Sequence, residues 1–233
     1  MNVPVWHLYP DAGQLAERLA AAIARMAVEA IAARGAFHLV LAGGHTPKAA
    51  YEVLPRLGAS WQHWHLYYGD ERCLAPDDLE RNSRLVQDTL LAKSPIPTRQ
   101  HHPIPAELGA EAAATAYTHL LPAQRFDLVL LGMGEDGHCA SLFPGQEQGF
   151  APDAPAVLPV HHSPKPPADR VSLSAARLRQ TRALFFVITG AAKAPAIQRW
   201  RVGEDLPAAR VGAGFDVWLD AAAWGAPAVR YET

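Results

Sequence analysis

The chain has 233 residues, 49% of them hydrophobic and 19% charged, with a formal net charge of -2. This composition suits a single domain over residues 1–233 and excludes long disorder and fibrous repeats. Without a basic stripe, nucleic acid is a poor partner. The N-terminus MNVPVWHLYPD has no signal-peptide pattern, no apolar run is long enough to span a bilayer, and Cys73 and Cys139 make no disulfide framework. A cytoplasmic protein without membrane partners is expected.

In chain order, residues 12–33 carry Leu15, Leu19, Ile23, Met26 and Ala30 at helical spacing without internal Pro, predicting an amphipathic helix. FHLVLA (37–42) reads as a strand that ends at Gly43-Gly44, and Thr46-Pro47 reads as a helix start with Thr46 as N-cap. The alternation repeats. WHLYYG (64–69) precedes a helix near 78–92, FDLVLL (126–131) precedes a glycine-rich loop, and ALFFVITG (183–190) precedes a helix to about 201. VSLSAARL (171–178) and FDVWLD (215–220) read as further strands, while 94–105 and the Pro-rich run 144–167 read as loops, the second long enough for a lid. The fold class expected is α/β: a three-layer, Rossmann-like, mostly parallel sheet with helices on both faces.

Four stretches carry chemistry. AGGHTP (42–47) reads either as a phosphate seat, with backbone N–H groups and a helix N-terminus facing an anion, or as a tight turn that needs Gly for its dihedrals. GDER (69–72) reads either as a rim presenting Asp70, Glu71 and Arg72 to a ligand or as a solvated loop with an internal ion pair. GMGEDG (132–137) matches a dinucleotide fingerprint letter by letter, yet HCASLFPG allows only a short helix and the following residues are Pro-rich, so that site cannot be completed. His138 then stands out as a group that exchanges a proton near neutral pH, with Asp136 two positions earlier. Cys139 and Ser141 have no evident base, and Arg170 and Lys193 are single cations near strand ends. His101-His102 and His161-His162 lack the spacing and companions of a metal site, so no metal and no cofactor is expected.

Taken in order, LAGGHTP, YYGDERCL with RNSRL, FDLVLLGMGEDGHCASLFPG, DRVSLS and VITGAAKA resemble the 6-phosphogluconolactonases over roughly residues 8–220, and more distantly the glucosamine-6-phosphate deaminases. The resemblance implies hydrolysis of 6-phospho-D-glucono-1,5-lactone, a small-molecule sugar-phosphate lactone, by a monomer or weak homo-oligomer. It implies His138 as general base with Asp136 as its acid. Gly43, Gly44, Thr46, Asp70, Arg72, Arg170 and Lys193 fall around the substrate and its phosphate. His45 departs from the Ser frequent at that place in the family. Deaminases resemble GHxAFNEPG after the His turn, where this chain has Phe143 in place of the Glu. A sugar-phosphate-binding regulator is the other alternative, and the chain offers no basic helix for reading DNA.

Overall fold

A computed structural model describes residues 3–151 and 153–225. The strands are β1 (Val5–Tyr9), β2 (Phe37–Leu41), β3 (Trp64–Tyr68), β4 (Asp70–Arg72), β5 (Phe126–Leu131), β6 (Val157–Val160), β7 (Arg170–Leu173), β8 (Thr181–Ile188) and β9 (Asp216–Asp220). The helices are α1 (Ala12–Arg34), α2 (His45–Val53), α3 (Asn82–Thr89), α4 (Ala110–Leu120), α5 (Ala175–Arg179), α6 (Ala194–Arg201), α7 (Pro207–Gly212) and α8 (Ala221–Trp224).

Six strands form one parallel sheet in the order β1-β9-β8-β5-β2-β3. From β2 the chain moves outward to β3, and from β5 it moves the opposite way to β8. Right-handed crossovers in the two directions carry their helices to opposite faces of the sheet. The β2/β5 junction is therefore a switch point, where the loops at the carboxyl ends of the strands part and leave a crevice.

Coverage of both faces explains why FDLVLL is buried at every position. Its one charged residue, Asp127, accepts from the His38 backbone N–H at 2.8 Å and pairs with Arg34 at 2.7 Å, so the buried carboxylate is compensated. On α1, Leu15, Leu19, Ile23 and Ala30 are buried, as the helical period requires. Asp11 caps that helix by accepting from Gln14 N, and Gly35 ends it at φ 80°.

Two buried tyrosines set the strand ends that lead to the crevice. The Tyr51 hydroxyl accepts from Ala42 N at 3.1 Å and donates to Ala42 O at 3.0 Å. Tyr117 serves Tyr68 in the same way, accepting from its N–H at 2.8 Å and donating to its carbonyl at 3.3 Å. Each phenol satisfies both backbone groups of a residue that would otherwise leave the ladder unpaired. Burial raises the pKa of both phenols, so both stay protonated donors.

Several elements differ from the sequence reading. The Pro-rich run 144–167 contains β6, and only the first half of VSLSAARL is strand, because Ser174 caps α5 by accepting from Arg177 N. Strands β4, β7 and β6 form a separate antiparallel sheet in the order β4-β7-β6. The helix expected near 78–92 begins at Asn82 and ends at Thr89. Strand β1 and helix α4 went unread. Thr46 is not an N-cap: α2 starts at His45, with Gly44 before it and no side-chain cap. The residues after His138 form turns rather than a short helix.

Candidate active site

The crevice at the switch point is a cleft of about 410 Å³ lined by the ends of β2, β3, β5 and β8 and by the small sheet. It gathers Gly43, Gly44, Thr46, Asp70, Arg72, His138, Arg170 and Lys193 from the sequence-derived set. Asp136 reaches it through its bond to His138.

At the end of β2, the two glycines are needed for different reasons. A Cβ on Gly43 would stand 1.8 Å from Asn82 Oδ1, so only Gly lets that amide lie against the turn. Gly44 holds φ 101°, a region L side chains avoid. The uncapped first turn of α2 then faces the cleft, and its N–H groups favour an anion. The Thr46 hydroxyl is tied to the Thr189 hydroxyl at 2.6 Å, joining the turn after β2 to the one after β8.

GDER is neither a rim of three ligands nor a solvated loop. It is strand β4, so its side chains alternate between two faces. Asp70 and Arg72 line the cleft. Glu71 turns the other way, is fully buried, and accepts from Asn82 N at 2.7 Å and Ser83 N at 2.8 Å, capping α3 from a distance. Arg81 stands 3.5 Å from the same carboxylate. Asp70 in turn is held by Ser141, whose hydroxyl donates to Oδ2 at 2.6 Å, and by the Asn82 amide at 3.1 Å. Ser141 therefore serves as an anchor for Asp70. Cys139 is buried, and burial pushes its thiol pKa up, which keeps it unreactive.

After β5, the His138 imidazole meets Asp136 across Nδ1···Oδ1 at 2.5 Å. The turn is closed by Gly134 N–H to His138 O at 2.9 Å, which folds residues 134–138 back on themselves. Gly134 makes this possible: a Cβ there would lie 2.0 Å from His138 Nδ1 and 2.4 Å from Asp136 Oδ1. An ionised Asp136 can only accept, so the imidazole proton sits on Nδ1 and leaves Nε2 as the basic nitrogen. Phe143 packs on the imidazole at 4.7 Å between ring centroids. Burial lowers the His138 pKa, with Lys165 acting in the same direction and Asp136 opposing it. For Asp136 burial pulls upward, but the charge of His138 and its hydrogen bonds prevail and hold the carboxyl below its ordinary range.

Among the described residues four cations face the cleft: Arg72, Arg170, Lys193 and Lys165. Arg72 and Arg170 are cross-strand partners in the β4/β7 register. The Arg72 Nη1 donates to the Glu80 carbonyl, while its buried Nε has no protein partner among the described residues. Burial lowers the Arg170 and Lys193 pKa values. Sequence reasoning missed Asn82 and Lys165. Asn82 stood in RNSRL without a role of its own, and Lys165 is a single cation in a Pro-rich run.

The paired histidines serve local contacts. His101 Nε2 lies 2.7 Å from the Tyr68 hydroxyl, His102 is 3.3 Å from His65, and His161 bridges Asp169 and Glu111. Among the described residues, no group of three or more His, Cys, Asp or Glu side chains is placed to hold a metal ion. No helix there is long and apolar enough to cross a membrane.

A doubly wound sheet whose switch-point crevice combines a glycine turn, an uncapped helix start, four cations among the described residues and a His–Asp pair defines an α/β protein of the class with a cleft at the carboxyl ends of its strands. The chain belongs to the glucosamine-6-phosphate isomerase/6-phosphogluconolactonase family, whose model matches residues 10–218. A probable chloroplastic 6-phosphogluconolactonase of rice is 38% identical over 203 residues, covering 79% of this chain. The match spans 62% of the length of that relative. The 6-phosphogluconolactonase of Mycobacterium leprae is 35% identical over 227 residues, covering 91% of this chain and 89% of its own. Among solved structures, the 6-phosphogluconolactonase of Thermotoga maritima superposes with a TM-score of 0.84 at 29% identity, covering 94% of this chain and 99% of the other.

Proposed function

We propose that the protein hydrolyses 6-phospho-D-glucono-1,5-lactone to 6-phospho-D-gluconate, the lactonase step of the oxidative pentose phosphate pathway. The observation that carries this reading is the His138–Asp136 pair, 2.5 Å apart, at the wall of a cationic cleft. Asp136 accepts a hydrogen bond from the Nδ1–H, which stays on the imidazole, and Nε2 takes a proton from water as its oxygen adds to the lactone carbonyl at C1, so that an imidazolium forms. The carbonyl electron pair moves onto its oxygen. When the tetrahedral adduct collapses, the bond from C1 to the ring oxygen breaks and the imidazolium returns its proton to that oxygen, giving a hydroxyl and a carboxylic acid. The acid then ionises in water. Keeping the imidazole neutral matters, and the lowered pKa of His138 serves that end.

The remote phosphate is assigned to the N–H groups at Gly43 and Gly44, the start of α2 with Thr46, and the cations Arg72 and Lys193, while Arg170, read from the sequence as a further phosphate ligand, is engaged by the carbonyls of residues 165–167. Asp70, whose carboxylate is braced by Ser141 and Asn82, is assigned to accept from substrate hydroxyls. Binding energy from the phosphate then fixes the ring over His138. A deaminase reading lacks an acid after the His turn, where the apolar Phe143 ring packs on His138. The setting proposed is cytoplasmic, with the protein acting as a monomer or weak homo-oligomer.

The test is hydrolysis of freshly generated 6-phosphogluconolactone, corrected for the spontaneous reaction, by the parent and by His138→Ala. The variant is expected to lose turnover while its affinity for 6-phosphogluconate stays within a few fold. Equal turnover by the two proteins, or ammonia release from glucosamine 6-phosphate, would overturn the reading.

A further inference from the structure

The loop joining β6 to β7 is built around one buried guanidinium. Arg170 donates from Nη2 to Lys165 O at 3.1 Å and Pro166 O at 2.8 Å, and from Nε to Pro167 O at 3.3 Å, so three successive carbonyls close on a single side chain. Ser163 tightens the same turn. Its N–H donates to Ala168 O at 2.9 Å, its hydroxyl donates to Lys165 O at 2.8 Å, and it accepts from Lys165 N at 3.3 Å. A bidentate cation so engaged has little left for a ligand, since of its nitrogens only Nη1 makes no protein hydrogen bond among the described residues.

What the clamp delivers is Lys165. That side chain lines the cleft together with His138, Gly134 and Lys193, and no ion pair engages its ammonium among the described residues. Its positive charge acts to lower the pKa values of His138, Asp136 and Lys193. Lys165 thus shares the cleft with the His–Asp pair, while Arg170 is engaged by the loop that carries Lys165.

On the lactonase reading, we propose that Lys165 is a catalytic residue that stabilises the negative charge on the carbonyl oxygen at C1, and that Arg170 is the positioning residue that holds its loop. Negative charge appears at C1 twice, as the oxyanion of the adduct and then as the product carboxylate. A preorganised ammonium at that place stabilises the first and binds the second, and no proton needs to leave it. The phosphate is left to the α2 turn, Arg72 and Lys193.

The experiment measures kcat and KM on 6-phosphogluconolactone for the parent, Lys165→Met, Lys165→Arg, Ser163→Ala, Arg170→Lys and the Lys165→Met/Arg170→Lys double variant. Calorimetry gives affinities for 6-phosphogluconate and for glucitol 6-phosphate, which keeps the phosphate and lacks the carboxylate. Lys165→Met is expected to lose about 10²-fold in kcat. It should bind 6-phosphogluconate more weakly with glucitol 6-phosphate unchanged, and Lys165→Arg should recover most of the rate. Arg170→Lys and Ser163→Ala should lower kcat at near-parent stability, and Arg170→Lys should cost little more once Lys165 is gone. Parent kcat in Lys165→Met, or an equal loss of affinity for both phosphates, would overturn the catalytic role. Full additivity in the double variant would overturn the clamp. A parent that turns over no lactone would instead refute the functional reading, and the two affinities would still decide whether Lys165 reads the carboxylate.

Discussion

Gly134→Ala separates the His–Asp pair from the fold around it. The Gly134 backbone lies outside the left-handed region, so an Ala there meets no torsional penalty and would ordinarily stabilise slightly by stiffening the unfolded chain. The obstacle is local. The new Cβ would fall 2.0 Å from His138 Nδ1 and 2.4 Å from Asp136 Oδ1, inside the 3.4 Å at which ordinary contact begins. The imidazole must therefore retreat by about 1.4 Å toward the open cleft, a misplacement that costs on the order of 10²-fold in rate. It also pulls Nδ1 from the carboxylate that orients it. The expected outcome is kcat reduced by about 10²-fold with a thermal midpoint within a few degrees of the parent. Progress curves on fresh lactone and a thermal melt of the same sample check both. Parent kcat in a folded Gly134→Ala would refute the view that the 2.5 Å pair orients the base.

The pH profile follows from burial of the imidazole. Only neutral His138 can accept a proton, so kcat/KM rises with pH through its pKa, and that limb should lie below the ordinary imidazole value of 6.5. Asp136→Asn removes a charge that raises the His138 pKa, so the limb should move lower still as kcat falls; a rate profile over acidic pH reads both. Glu71→Ala strips the carboxylate that accepts from Asn82 N and Ser83 N at the start of α3 and leaves Glu107 as the acidic partner of Arg81, and should cost about 1–3 kcal/mol in a urea titration. Tyr51→Phe strips the partner from both backbone groups of Ala42, and should cost about 1–3 kcal/mol by the same titration and weaken phosphate binding at the adjoining glycine turn.

The parallel layers were legible because apolar runs such as FDLVLL and ALFFVITG are buried on both faces and carry their signal locally. The same local rule fails for β4. Three residues are too few for a period, and whether Glu71 faces ligand or core depends on α3 and Arg81 arriving beside it. Strand β6 hid in the Pro-rich run because its partner β7 lies ten residues or more further on and the pairing is antiparallel and non-local. Thr46 is not a cap because α2 already begins at His45, and its hydroxyl instead meets Thr189, a contact made across 143 positions of chain.

By itself the sequence determined strands β2, β3, β5, β8 and β9, helix α1, the glycine turns at 43–44 and 132–137, and the short-range pair of Asp136 and His138, all of which rest on spacing and local dihedrals. Tertiary structure alone decided that Asp70 and Arg72 face the cleft while Glu71 is buried behind them, that Arg170 binds its own loop, and that Lys165 lines the same cleft as His138. Those assignments depend on which side of a strand faces a distant neighbour, and on where a buried charge finds its partners. Neither is set by nearby residues.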